Sequence, residues 1–203
     1  MMLQRNPIQN TVRPCELLLL NGNGDLGVAL AFKRKHQRCR IHSSSAAHRR
    51  RPNVPGSDIF TYPFHIDPNR RTEGDFVKGG PANRRVSITA LMRFIVGRSW
   101  FSSIVINMYN ANIFLPIFLD NSIFREASMY TCQLNVAYPK PKTLEGMTLF
   151  RRNWKRIVNG RNFLLISVSR NKDTMHMFLV SINGGFCWNE YISDEPFDKF
   201  RAF

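Results

Sequence analysis

The chain has 203 residues and 43% apolar content, enough for one domain with tails or two small domains around a sizeable core. Twenty-nine Lys+Arg against fourteen Asp+Glu leave a formal charge of +15, which excludes an acidic chain and strains a compact state unless a polyanion or counterions neutralise it. Four widely spaced cysteines, Cys15, Cys39, Cys132 and Cys187, form no C-x-x-C pair and no dense framework, so the expectation is free thiols in an intracellular setting, nucleus or mitochondrion.

Residues 1–57 hold ten Lys+Arg and two acids, and the segment "KRKHQRCRIHSSSAAHRRRPNVPGS" lacks apolar periodicity. It is expected to be a basic, largely disordered extension, either a targeting segment or a nucleic-acid-binding tail. The early run "ELLLLNGNG" is too short for a signal sequence or a membrane span, so no transmembrane segment is expected. His36, Cys39, His42 and His48 are residue types that suit zinc, but their spacing matches no standard site and their neighbours are strongly basic. No metal and no cofactor is expected.

Residues 58–203 read as a single α+β domain. "VSITALMRFIVGRSW" places its apolar residues near helical spacing, with Ser87 as N-cap. "SSIVINMYNANIFLPIFLDN" is β-branched and aromatic, and Pro116 argues for an edge strand or a break. "MYTCQLNVAY" alternates strictly, the pattern of a strand with one face on the core and one near solvent. "FLLISVSRNKDTMHMFLVSI" reads as a hairpin turning at Arg170–Asp173, with His176 on one face of its second strand. Together these predict a small antiparallel β-sheet packed with one or two helices.

"LFRRNWKRIVNGR" predicts a helix ended by Asn159-Gly160. Phe150, Trp154, Ile157 and Val158 share one arc, so Trp154 is a core anchor and not a stacking platform. Arg151, Arg152, Lys155 and Arg156 share the other arc. Their i,i+4 like-charge pairs weaken an isolated helix by a few tenths of a kcal/mol each. With Arg161, Arg170 and Lys172, and with Arg84 and Arg85 before the first helix, they are the candidate nucleic-acid-binding residues. The acids Asp194, Glu195 and Asp198 read as a solvated C-terminal cluster.

Two resemblances bear on function. "IFLPIFLDNSI", "LFRRNWKRIV" and "KDTMHMFLVSI" resemble segments of the plant B3 DNA-binding domain across residues 112–182, although the Gly usual before the Trp is Asn153 here. Gly22, Gly24 and Gly27 form G-x-G-x-x-G between a possible strand and a possible helix, and residues 15–45 resemble the first turn of Rossmann-like enzymes, two-domain glycosyltransferases included. Against that, no acid lies between Asp25 and Asp58 to hold a ribose, and no alternation of strands and helices is evident downstream.

The expected function is therefore non-enzymatic nucleic-acid binding, RNA or DNA, in a ribonucleoprotein, an organellar ribosome, a coat or a B3-like regulator, with other proteins of the assembly as possible partners. The alternative is a nucleotide- or sugar-nucleotide-binding enzyme fragment that uses Gly22, Gly24 and Gly27.

Overall fold

The computed structural model describes residues 15–45, 58–67, 85–119, 128–160, 162–182 and 187. In chain order the elements are β1 (Glu16–Asn21), α1 (Gly27–Lys35), β2 (Arg40–Ser44), β3 (Ile59–Tyr62), β4 (His65–Ile66), β5 (Arg85–Val86) and α2 (Ile88–Ala90, continuing as a π-helical stretch over Leu91–Val96). There follow β6 (Trp100–Asn107), α3 (Ala111–Leu119), β7 (Tyr130–Pro139), α4 (Leu144–Asn159), β8 (Phe163–Arg170) and β9 (Thr174–Ser181).

Seven strands form one sheet in the order β3-β2-β1-β6-β7-β9-β8. The first five in that order are mutually parallel; β9 runs antiparallel to β7, and β8 antiparallel to β9. This overturns the expected small antiparallel sheet. A mostly parallel sheet with helices on both faces is a doubly wound, Rossmann-like arrangement. β4 and β5 pair separately.

The centre of the sheet comes from residues expected in a disordered extension. Leu17, Leu18, Leu19 and Leu20 are all fully buried, because β1 lies between β2 and β6 with both faces covered. Leu17 and Leu19 meet Ala29 and Phe32 of α1 on one face, with Ile41 and Ile59. Leu18 and Leu20 join the larger core on the other face, where α2, α3 and α4 pack through Leu91, Phe114, Phe118 and Ile157. A run of four leucines is thus a strand buried on both faces.

β7 alternates as predicted only from Leu134 onward; Thr131 and Gln133, on the side expected near solvent, are buried, and Tyr130, on the other side, is exposed. The hairpin forms where predicted, and Asn171 builds its turn by accepting from the Asp173 and Thr174 N–H groups at 3.2 and 2.8 Å. Ser87 caps α2, accepting from the Ala90 N–H at 3.1 Å.

Pro116 lies inside α3, not in an edge strand. It cannot donate to the carbonyl four residues earlier, Asn112. The Asn153 side chain supplies the missing donor to that oxygen at 2.9 Å, which is why a polar residue is buried on α4. The B3-like reading fails on the same segment, since its opening strand is this helix.

Trp154 and Phe150 are partly buried against the core, as the helical arc requires, whereas Val158 is exposed and Asn153 takes its place inside. Gly160 ends α4 at φ −75°, without the left-handed turn expected. Its requirement is steric: a Cβ there would stand 2.2 Å from the Arg156 carbonyl oxygen.

The thiols expected to be free are paired, Cys15 with Cys39 and Cys132 with Cys187. The first pair ties the start of β1 to the start of β2. Among the described residues no helix is long and apolar enough to cross a membrane.

Candidate functional site

β1 has β2 on one side and β6 on the other, so chain direction through the sheet reverses there. In open parallel sheets ligands bind in the crevice outside the carboxyl ends of the strands at such a switch point. The predicted glycines sit at this place: Gly22 follows β1, and Gly27 begins α1.

Each glycine has a distinct geometric role. Gly22 donates to the Asn107 carbonyl at 3.0 Å, and a Cβ on it would reach the Met108 and Tyr109 backbone at 3.5 and 3.6 Å. The turn therefore abuts the loop that follows β6. Gly24 has φ 71°, a left-handed conformation that favours glycine. Gly27 donates its N–H to the Asp25 carboxylate at 2.8 Å. Asn23 accepts from the Asp25 N–H at 3.0 Å, and the Asn21 side chain donates to the Asp25 carbonyl.

Two cavities flank the turn and share Gly22, Met108, Tyr109 and Asn110. The smaller, about 240 Å³, lies beside the ends of β1 and β2, with Ser44, Ser45 and His65 on its wall. The larger, about 820 Å³, opens outside β6, β7 and β9. Asn107, Tyr109, Tyr138, Lys140, Asp173 and His176 are among the residues that line it. Tyr109 is 93% exposed at its mouth. Burial pushes the Tyr138 hydroxyl above its usual range, and the hydrogen bond from Asn153 pulls the other way. His176 is exposed on the cleft wall with its Nε2 3.3 Å from the Asn171 amide, not buried in the sheet.

A second polar cluster is structural. The buried Glu16 carboxylate lies 2.7 Å from His42 Nε2, 3.2 Å from Arg98 Nε and 3.7 Å from Arg40. Burial acts to raise its pKa, but the His42 and Arg98 contacts outweigh that and hold it below the ordinary value. His42 Nδ1 is 3.0 Å from the Tyr62 hydroxyl, whose pKa burial raises. Glu16 and His42 line neither cavity.

The candidate zinc set does not converge. Cys39 is in a disulfide, His36 packs its ring at a tilt against Phe32, His42 serves the Glu16 cluster, and His48 lies outside the described residues. Of the candidate basic residues, Arg151, Arg152, Lys155 and Arg156 are exposed on α4, Arg170 ends β8, Lys172 is in the hairpin turn, and Arg85 is in β5. Arg84, Arg161 and the acids Asp194, Glu195 and Asp198 lie outside the described residues.

Sequence reasoning read His176 as a sheet histidine and missed Asn107, Tyr109 and Asn110. "NMYN" follows a β-branched run, and that position after a central strand is the signal that could have found these three.

No family model matches the chain, and no curated protein matches it. Among solved structures it is similar to human methyltransferase-like protein 13 in complex with SAH, at 11% identity and TM-score 0.45, over 83% of this chain and 72% of that one. An rRNA methylase from Escherichia coli aligns at 8% identity and TM-score 0.44, over 83% and 58% of the two chains. The 16S rRNA (adenine(1408)-N(1))-methyltransferase from Catenulisporales acidiphilia aligns at 12% and 0.42, over 81% and 84%.

The sheet topology corrects the expectation of a non-enzymatic nucleic-acid binder. Its ribonucleoprotein, coat and B3-like variants assumed an antiparallel sheet behind a disordered arm. In its place the chain has a glycine turn at the switch point of a doubly wound sheet, open to a cleft. The nucleotide-binding enzyme reading fits this arrangement better.

Proposed function

We propose that the chain is a methyltransferase-type enzyme that holds S-adenosylmethionine beside Gly22–Gly27 and an acceptor in the larger cleft. The observation that carries this reading is the Asp25 carboxylate at the N-terminus of α1. A dinucleotide or sugar nucleotide would put its pyrophosphate where the first helical N–H groups point. Here a carboxylate takes the Gly27 N–H, so one of the helix's first donors already has an anionic partner, and a ligand beside it gains from carrying positive charge. A nucleoside carrying sulfonium and ammonium groups fits that condition. The end of β2 offers Ser44 and Ser45, not a carboxylate, on the adjoining cavity.

Bound there, the cofactor supplies an activated methyl group. The chain's own residues do the rest. The Gly22 backbone keeps the turn close to the Asn107–Asn110 loop, so both ligands meet at one strand end. Asn107 and Asn110 offer amide donors and acceptors to orient the acceptor. His176 and Asp173, on the same cleft wall, are the groups able to take the proton that methylation of an N–H or O–H releases.

The test is calorimetric titration of the full chain with S-adenosylmethionine, NAD and a sugar nucleotide. S-adenosylmethionine is expected to bind one-to-one, and Asp25→Asn to weaken it about tenfold. Tighter binding of either pyrophosphate ligand, or an Asp25→Asn variant that binds S-adenosylmethionine more tightly, contradicts the reading.

A further inference from the structure

We infer that the outward stripe of α4, continued by Lys140 and Lys142 at the cleft mouth, is a docking track for a single-stranded nucleic acid whose end or loop enters the cleft; it rests on the methyltransferase reading for the chemistry but not for the binding.

Helical geometry defines the stripe. Leu144, Thr148, Arg151 and Lys155 follow i, i+4, i+7 and i+11 and lie along one line, while Asn153 and Ile157 face inward and are buried. Leu144 to Lys155 spans ~16 Å at the helical rise per residue. The line begins at the cleft, because Lys140, Lys142 and Thr143 line the larger cavity and α4 starts immediately after them. The hairpin turn carrying Arg170 and Lys172 adjoins it, tied by the Lys140 N–H to the Asp173 carbonyl at 2.8 Å.

The charge is one-sided. Between Lys140 and Lys172 the sequence has nine Lys+Arg and one acid, Glu145. Among the described residues no acid pairs with Arg151, Arg152 or Lys155. Like charges left together on a helix cost stability, and a row of phosphates offsets that cost through contact and counterion release.

Single-stranded nucleic acid is favoured over an acidic protein by what accompanies the charge. Tyr109 is 93% exposed at the cleft mouth, Leu144 is 82% exposed, and Met147 is 44% exposed beside it. Unpaired bases stack on such flat or soft side chains while basic residues follow the backbone. The Asn107, Asn110 and Asn112 amides in the cleft can hydrogen-bond base edges.

The experiment is fluorescence anisotropy of a labelled single-stranded oligoribonucleotide against the full chain across a salt series. It compares an Arg151→Ser/Arg152→Ser/Lys155→Ser variant with an Arg34→Ser/Lys35→Ser/Arg38→Ser variant that removes equal charge near α1. The α4 variant is expected to lose at least tenfold in affinity and about 2 from the slope of log K against log salt, at roughly 0.7 per phosphate contact. The α1 variant is expected to change little. Tyr109→Ala is expected to lose about tenfold on the oligonucleotide and nothing on inorganic polyphosphate.

Equal losses in the two charge variants overturn the track, as does polyglutamate or a duplex of the same length binding as tightly as the single strand. S-adenosylmethionine titration of the same proteins separates the two readings. Unchanged cofactor binding in the α4 variant is expected, whereas an absent cofactor signal with intact oligonucleotide binding sinks the methyltransferase reading alone.

Discussion

Gly24 holds φ 71°, which a side chain tolerates at a cost of about 1–2 kcal/mol. Gly24→Ala is therefore expected to lower the melting temperature by roughly 2–8 °C in a protein of this size and to weaken cofactor binding more than tenfold, read by a thermal melt and calorimetry. These glycines were visible in the sequence as G-x-G-x-x-G, and Asp25 stood in plain view between them. What the letters could not say is that Asp25 turns back onto Gly27, because that depends on the turn's backbone path. Glu16 was also visible, but its partners are 26 and 82 residues away. Its carboxyl is held below the ordinary value, so its contribution to stability is complete above about pH 4.5 and is lost as pH falls through the lowered folded value. Acid unfolding followed by circular dichroism should show this, and Glu16→Gln should flatten the acid limb of the profile below about pH 4.5.

Elements were legible where a single face decides them and obscure where two faces are buried. α4 was read from its arc and the β8–β9 hairpin from its turn, because both signals are local. β1 entered only as a possible strand before the glycines, under the alternative reading, since four consecutive leucines carry no period; a run buried on both sides of a parallel sheet has none to show. α3 was mistaken for strand because Pro116 and its β-branched neighbours argue against a helix, and the compensation comes from Asn153 on another helix. This gives a coupled prediction. Asn153→Ala leaves the part-buried Asn112 carbonyl without its donor and is expected to cost about 1–3 kcal/mol. In a Pro116→Ala background the backbone N–H returns, and the same substitution should cost less than half as much, measured by denaturant unfolding in a double-mutant cycle. Cys15–Cys39 closes a segment of 24 residues across β1, α1 and β2, and its removal by Cys15→Ser/Cys39→Ser should cost about 3 kcal/mol in the same assay.

For the whole molecule, the order β3-β2-β1-β6-β7-β9-β8 is set by pairings between distant segments, β1 with β6 above all, and no local pattern carries that information. The net charge was read as a demand for a polyanion, yet charge states nothing about fold, and it drew the reading toward a passive binder. Topology places the glycine turn, the two cavities and the Asn107–Asn110 loop at one end of the sheet, an arrangement that a purely adhesive protein does not need. The measurement that bears most directly on the account is calorimetric titration of the intact protein with S-adenosylmethionine, alongside NAD and a sugar nucleotide. One-to-one binding of S-adenosylmethionine, weakened about tenfold by Asp25→Asn and more by Gly24→Ala, is the predicted result. A flat S-adenosylmethionine isotherm, or preferential binding of a pyrophosphate ligand, would contradict it.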